Sequence, residues 1–157
     1  MQRVGIGYDV HAFEAGRPLV IGGVEIPAER GLAGHSDADV LAHAVMDAVV
    51  SAMRAGDIGE LFPDDDPAYE GADSIVLLAR VGELARTSGW HVDDVDTVLV
   101  MQSPKVAPYR DEMRANIARA LGIGIESVGV KATTTEHLGF EGRGEGAAAQ
   151  AVVLLSR

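Results

Sequence analysis

Apolar and small or polar residues trade places at every second position near the start of the chain. Val4, Ile6, Tyr8 and Val10 alternate with Gly5, Gly7, Asp9 and His11, the period of a half-buried strand whose polar face ends in Asp9 and His11. Leu19 to Ile21 and Val24 to Ile26 flank Gly22-Gly23, two residues that accept the positive φ of a tight hairpin turn. From Asp37 to about Arg54 the period changes. Leu41, Ala44, Val45, Ala48 and Ala52 recur at helical spacing, and Ser36 or Asp37 is placed to cap the first free amides. Helical patterns return at about Ser74 to Thr87 and Pro108 to Leu121, while Val95 to Gln102, Ser127 to Ala132 and Ala147 to Leu155 read as strands. Gly56 to Asp66 holds Gly-Asp-Ile-Gly and Phe-Pro-Asp-Asp-Asp and predicts an irregular loop.

Strands and helices therefore alternate, without repeats, low-complexity tracts or a charged linker. The expectation is one domain over residues 1–157 with an α+β, two-layer fold: a mixed sheet with helices packed on one face. The pattern leaves the strand order open. The last strand is apolar on both faces apart from Gln150, which points to cover on its second face as well, by a neighbouring subunit or by a second layer of helices.

Composition narrows the chemistry. The chain has no cysteine, so a metal must be held by His, Asp or Glu, and disulfides and thiol catalysis are excluded. The formal net charge is -11, and no basic cluster with interleaved aromatics forms a nucleic-acid track. An acidic chain takes a phosphorylated substrate only where metal ions and local dipoles reverse the potential. No leader-like segment or membrane span is legible, and the expectation is a cytoplasmic protein.

Asp9 and His11 leave one face of a strand and can converge on an ion, with His43 completing the set. A carboxylate and two imidazoles with a fourth position open make a catalytic zinc site. A surface Asp-x-His with an unrelated helix histidine fits the same spacing. His35-Ser36-Asp37-Ala38-Asp39 lies where a loop enters a helix, so amides there suit a phosphate and His35 a transferring phosphoryl group, or Ser36 and Asp37 simply cap. Asp47, four residues after His43, is placed to orient that imidazole or to sit solvated. Lys131-Ala132-Thr133-Thr134-Thr135-Glu136 ends a strand with three hydroxyls and a carboxylate, suited to phosphate oxygens and magnesium, although threonines also favour strands. Residues 139–146 carry too many glycines for a regular element, with Arg143 as an anion fork. Ser103-Pro104-Lys105 reads as a loop, Lys105 being a candidate phosphate or nucleotide contact.

Together these segments resemble the 2-C-methyl-D-erythritol 2,4-cyclodiphosphate synthase family of the non-mevalonate isoprenoid pathway. Five signatures occur in the family's order: Gly-Tyr-Asp-Val-His, Gly-His-Ser-Asp-Ala-Asp-Val followed by His43, Gly-Asp-Ile-Gly with Phe-Pro-Asp, Lys-Ala-Thr-Thr-Thr-Glu, and Gly-Arg-Gly-Glu-Gly. The likeness runs from about residue 2 to residue 155, which leaves no room for a fused cytidylyltransferase domain and implies a single-function enzyme. Ser103 replaces a frequent alanine, Tyr8 a frequent phenylalanine and Gln150 an often acidic position.

The resemblance implies zinc ligands at Asp9, His11 and His43, and magnesium or manganese at Glu136 with the substrate diphosphate. It implies transition-state support from His35 and Thr134. Asp9, Val10, His11 and His35 are implied substrate contacts, and Ser36, Asp57, Ile58, Gly59, Phe62, Pro63, Asp64, Asp65 and Asp66 surround the methylerythritol phosphate part. Met101, Gln102, Ser103, Pro104, Lys105, Val106 and Ala107, with Thr133, Thr134 and Thr135, form the cytidine diphosphate pocket, and Glu136 is a further substrate contact. Phe140 and Arg143 are further contacts. The implied partners are a cytidine diphosphate substrate and two more copies of the chain, in a homotrimer with active sites between subunits. No nucleic acid or membrane is implied. The same ligand set would serve a zinc-dependent phosphohydrolase or a non-catalytic, zinc-stabilised trimeric scaffold.

Overall fold

A computed structural model describes residues Met1–Arg157. In chain order its elements are β1 (Gln2–Ala15), β2 (Leu19–Ile21), β3 (Val24–Ile26), β4 (Arg30–Leu32), α1 (Val40–Met53) and α2 (Ile58–Leu61). They continue with α3 (Ser74–Thr87), β5 (His91–Val100), α4 (Arg110–Leu121), β6 (Val128–Thr133), α5 (Gly139–Gly142) and β7 (Gly146–Ser156). Five strands form one sheet in the order β4-β1-β7-β5-β6. It is mixed, since β1 and β5 run antiparallel to β7 whereas β5 and β6 run parallel. Helices α1, α3 and α4 cover one face, as the alternation predicts. No helix is long and apolar enough to cross a membrane.

The first strand is half-buried, but its apolar side is the open one. Val4, Ile6, Tyr8 and Val10 are exposed, together with Val152 on the neighbouring β7. Gly5 and Gly7 face α1 instead. A Cβ on Gly5 would lie 2.0 Å from the Ala48 carbonyl oxygen, and one on Gly7 2.0 Å from that of Ala44. Backbone therefore packs on backbone, with α1 sunk so deeply that residues on nearly every side of it are buried. On β7, Ala147, Ala149 and Ala151 keep that floor shallow. Gly7→Ala is expected to lower the unfolding free energy by about 1–3 kcal/mol, because the new methyl meets backbone that no rotamer change can move. Urea unfolding checks this, and an unchanged midpoint would contradict the packing.

Several boundaries differ from the sequence reading. Helix α1 starts at Val40 and is capped by Asp39, not by Ser36 or Asp37. Ala38 takes a left-handed φ of 56°, which holds the chain out of the helix for one more residue. The buried Asp39 carboxylate accepts from Ala42 N–H at 3.0 Å and from Gly22 and Gly23 N–H at 2.8 and 2.7 Å. Both glycines have the positive φ their hairpin requires. Burial pushes the Asp39 carboxyl up to about 6, repulsion from Asp37 adding to it and the three amides opposing it. The 56–66 loop contains one helical turn, α2, capped by Asp57 through Glu60 N–H. The glycine-rich 139–146 segment likewise begins with a helical turn, α5. Strand β7 is central, with helices on one face only.

Candidate metal centre and two cavities

Asp9 and His11 rise from the helix-covered face of β1, and His43 meets them from α1. The Gly5 and Gly7 contacts bring α1 close enough for this to happen. Asp9 Oδ2 lies 2.8 Å from His11 Nε2 and 3.1 Å from His43 Nδ1, and the two nitrogens are 3.1 Å apart. Ligands on a tetrahedral zinc ion with ordinary bond lengths sit about 3.3 Å from one another. The triangle thus fits such an ion with slight relaxation, and its two nitrogens and one oxygen suit a borderline metal.

Each imidazole has its outer nitrogen occupied. His11 Nδ1–H donates to the Ala33 carbonyl at 2.7 Å, which turns Nε2 toward Asp9. His43 Nε2 lies 2.9 Å from Ser74 Oγ and 3.1 Å from Ser36 Oγ. Burial raises the Asp9 carboxyl, but hydrogen bonds and charge from His11 and His43 outweigh it and hold Asp9 at about 2. Burial lowers His11, and its bond to Asp9 more than reverses this, so the ring titrates above its usual value. Acceptors this close repel one another unless a proton or a cation lies between them.

The triad opens on a cavity of about 340 Å³ whose walls include His35, Ser36, Ile58, Gly59, Phe62 and Asp64. Loop 34–36 is held by Arg17, which donates to the Gly34 and Ser36 carbonyls at 2.9 Å each. His35 Nε2–H donates to the Asp66 carbonyl at 3.0 Å, tying that loop to the opposite wall. Phe62 and Tyr69 stack edge to face there. Pro63 and Asp65 do not line this cavity. Asp57 and Asp66 stand as capping residues beside it, and the Val10 side chain points to the open face of the sheet.

A second cavity of about 230 Å³ is lined by Met101, Gln102, Pro104, Lys105, Val106 and Ala107, with Thr133 and Thr134. Ser103 lies outside it, on another of about 230 Å³ with Phe13 and Arg30. Thr135, Glu136, Phe140 and Arg143 line neither the cavity beside the triad nor the one at Lys105. Arg143 is exposed and bound by both carboxylate oxygens of Glu145. Register separates the two cavities. Val10, Ala148, Val100 and Thr133 form one row across β1, β7, β5 and β6, and three strand spacings amount to about 14 Å. Within one chain, His35 and Thr134 therefore stand in different cavities.

Two sequence-based assignments change. The α1 first-turn amide of Ala42 is taken by Asp39, so the helix start does not offer it to a phosphate. Asp47 makes no hydrogen bond to His43; burial and the nearby Asp57 push its carboxyl up, and serines 36 and 74 take the imidazole instead. Arg17, Tyr69 and Ser74 escape sequence reasoning because nothing in local spacing sets them near the triad. The Asp73-Ser74 pair reads locally only as a helix cap.

A two-layer α+β chain with an Asp-His-His triad able to hold a metal ion beside an open cavity has the make-up of a metal-dependent enzyme. It belongs to the YgbB family, which it matches over residues 2–156. It is 60% identical over 157 residues to the 2-C-methyl-D-erythritol 2,4-cyclodiphosphate synthase of Geobacillus kaustophilus, covering 100% of this chain and 99% of that one. It is 58% identical to the synthase of Geotalea uraniireducens, over 99% of each chain. Among solved structures, the bifunctional IspDF of Campylobacter jejuni is similar with a TM-score of 0.95 and 43% identity, covering 99% of this chain and 42% of that one. The CDP complex of Plasmodium falciparum IspF is similar with a TM-score of 0.86 and 30% identity, over 98% of this chain and 95% of that one.

Proposed function

We propose that this chain is a phosphorus-oxygen lyase that converts 4-diphosphocytidyl-2-C-methyl-D-erythritol 2-phosphate to 2-C-methyl-D-erythritol 2,4-cyclodiphosphate and CMP. One observation carries the reading beyond likeness. Part of each set of motif residues lines a cavity of its own: His35, Ser36, Ile58, Gly59, Phe62 and Asp64 beside the triad, and Lys105, Thr133 and Thr134 with their neighbours at the ends of β5 and β6. A substrate with an anionic polyol phosphate at one end and a nucleotide at the other needs two such places.

In this reaction an oxygen of the 2-phosphate attacks the β-phosphorus, and the bond from that phosphorus to the bridging oxygen breaks. CMP leaves with the electron pair. The nucleophile is already an anion, so no side chain has to remove a proton, and catalysis reduces to folding the substrate back and offsetting charge. Asp9, His11 and His43 would hold zinc and Glu136 magnesium or manganese, ions that would supply positive charge for the phosphate oxygens when bound. His35, fixed by Asp66, faces the polyol end from loop 34–36. Lys105 and the Thr133 and Thr134 hydroxyls serve the nucleotide diphosphate. Incubation with substrate, zinc and magnesium in 18O-water tests this: a cyclic product without solvent oxygen supports it, and a labelled linear product would make the chain a phosphohydrolase.

Glu136 is exposed on a left-handed turn with φ of 53°, followed by His137 at 65°. Two consecutive non-glycine residues in that region mark a turn held for a purpose. The triad is the one cluster of three or more metal-ligating side chains in the chain, so an ion at Glu136 needs the substrate's own oxygens. Glu136→Gln is expected to keep zinc and to lower the magnesium-dependent rate by about 10²-fold, the range for removing one charge-stabilising group. A magnesium titration with unchanged dependence would place the second ion elsewhere.

We further infer a homotrimer with shared sites. The open face of β1 and β7 exposes Ile6 to 65% and Tyr8 to 53% in one apolar strip, a surface suited to a partner subunit. A neighbouring copy laid on that face offers a way to join one chain's triad to another's nucleotide cavity.

A further inference from the structure

Ser74 takes no part in the motifs that mark the site, yet it is fully buried and lies against a ligand of the triad. His43 Nε2 is 2.9 Å from Ser74 Oγ. Ser74 Oγ is hydrogen-bonded to Asp37 Oδ1, and Ser74 backbone N–H donates to Asp37 Oδ2 at 3.0 Å. An ionised carboxylate only accepts, so the Ser74 hydroxyl donates to Asp37 and its lone pairs are left for His43 Nε2–H. The direction of every bond in the chain Asp37, Ser74, His43 follows. A ring protonated on Nε2 presents its free pair on Nδ1, the atom that faces Asp9 and His11. Ser36 Oγ, at 3.1 Å, is a second acceptor but not a substitute, because no carboxylate fixes the direction of its hydroxyl.

We propose that Asp37 and Ser74 are positioning residues that fix the tautomer and angle of His43 and so preset it as an Nδ1 metal ligand. The proposal deepens the metal reading of Asp9, His11 and His43 and is independent of the nucleotide cavity. A purely structural role is the competing account. Ser74 opens α3, Asp73 already caps that helix through Ile75 N–H, and the Asp37 contact also joins two loops, helped by Asp37 N–H donating to the Ala72 carbonyl. A structural role moves the stability of the metal-free protein and leaves the affinity of the folded site alone.

The test measures zinc affinity of the full chain by competition with a chromophoric chelator, the absorption spectrum of bound cobalt, and thermal unfolding without metal. Ser74→Ala is expected to weaken zinc binding by about 10- to 100-fold, the range for loss of a partner behind a metal ligand, and to alter the cobalt spectrum. Asp37→Asn keeps size and removes one acceptor. Asp37 Oδ1 also accepts from Asp39 N–H at 3.2 Å, so in either orientation the amide NH2 group meets an N–H donor that the carboxylate had satisfied, and the group that fixes the Ser74 hydroxyl is displaced. The Ser74 hydroxyl then no longer has a fixed direction, and a loss of affinity in the same range is expected although the side chain keeps its shape. Ser74→Thr retains the hydroxyl and is expected to recover most of the affinity. Wild-type affinity and spectrum in both Ser74→Ala and Asp37→Asn would overturn the proposal, whatever happens to the melting temperature. If Ser74→Ala does not fold, Asp37→Asn decides. A wild-type chain that takes up no stoichiometric zinc or cobalt sinks the metal reading itself, a result distinct from unchanged variants.

Discussion

His43→Ala is expected to lose the bound ion and the reaction together while keeping its fold. The side chain projects from the first turn of α1, and alanine is the best helix former, so the helix gains propensity as it loses the ligand. Asp9 and His11 remain as two donors, one short of the three that a catalytic zinc site uses. Loss of a direct ligand should exceed the 10- to 100-fold cost of losing a supporting partner, so zinc affinity falls by more than about 100-fold. Turnover should fall by on the order of 10³, as when a charge-stabilising group is taken from a transition state. Metal analysis of the purified variant, circular dichroism and product analysis by mass spectrometry read the three quantities separately. Full zinc occupancy with a normal rate would remove His43 from the site. An unfolded variant without metal would make the ion a structural one.

The elements of the fold were legible because their periods differ, and the site was legible in halves. Asp9 and His11 follow from the period of two. His43 is a helix histidine, and only packing brings its ring within 3.1 Å of Asp9. The cause was visible in part: glycine inside a strand marks close approach of another backbone, and Gly5 and Gly7 do admit α1. Which side of β1 is covered was not legible from hydrophobicity. The apolar residues predict the buried side, but close helix packing demands the smallest ones, so the glycine side went in and Val4, Ile6 and Tyr8 went out. The start of α1 was misread for a similar reason. Three acidic or hydroxyl residues compete for the cap, and the winner is Asp39, whose carboxylate also satisfies two amides of a hairpin 16 and 17 residues away. Ser74 and Asp37 meet across 37 residues, a contact that no local pattern encodes.

The open apolar strip leads to the second large effect: Ile6→Asp is expected to dissociate a trimer and abolish turnover while leaving the metal triad loaded. Ile6 is 65% exposed on the chain alone, so a carboxylate there meets water in a monomer, and the fold has no reason to fail. In an assembly the same carboxylate is buried against apolar neighbours without a partner, which costs far more than the lost methyl groups. Light scattering should report three times the 16.4 kDa chain mass for the wild type and one chain mass for the variant. Zinc content should not change, because Asp9, His11 and His43 all belong to one chain. Subunit mixing tests the shared site directly. Refolded together in equal parts, His43→Ala and Lys105→Ala chains form sites at random, and a site with both halves intact arises in about one quarter of cases if each site joins two neighbouring copies. Each parent alone should be inactive, and the mixture should recover about a quarter of the wild-type rate. A fully active monomer, or no recovery in a mixture shown by light scattering to be trimeric, would put both cavities to work within a single chain.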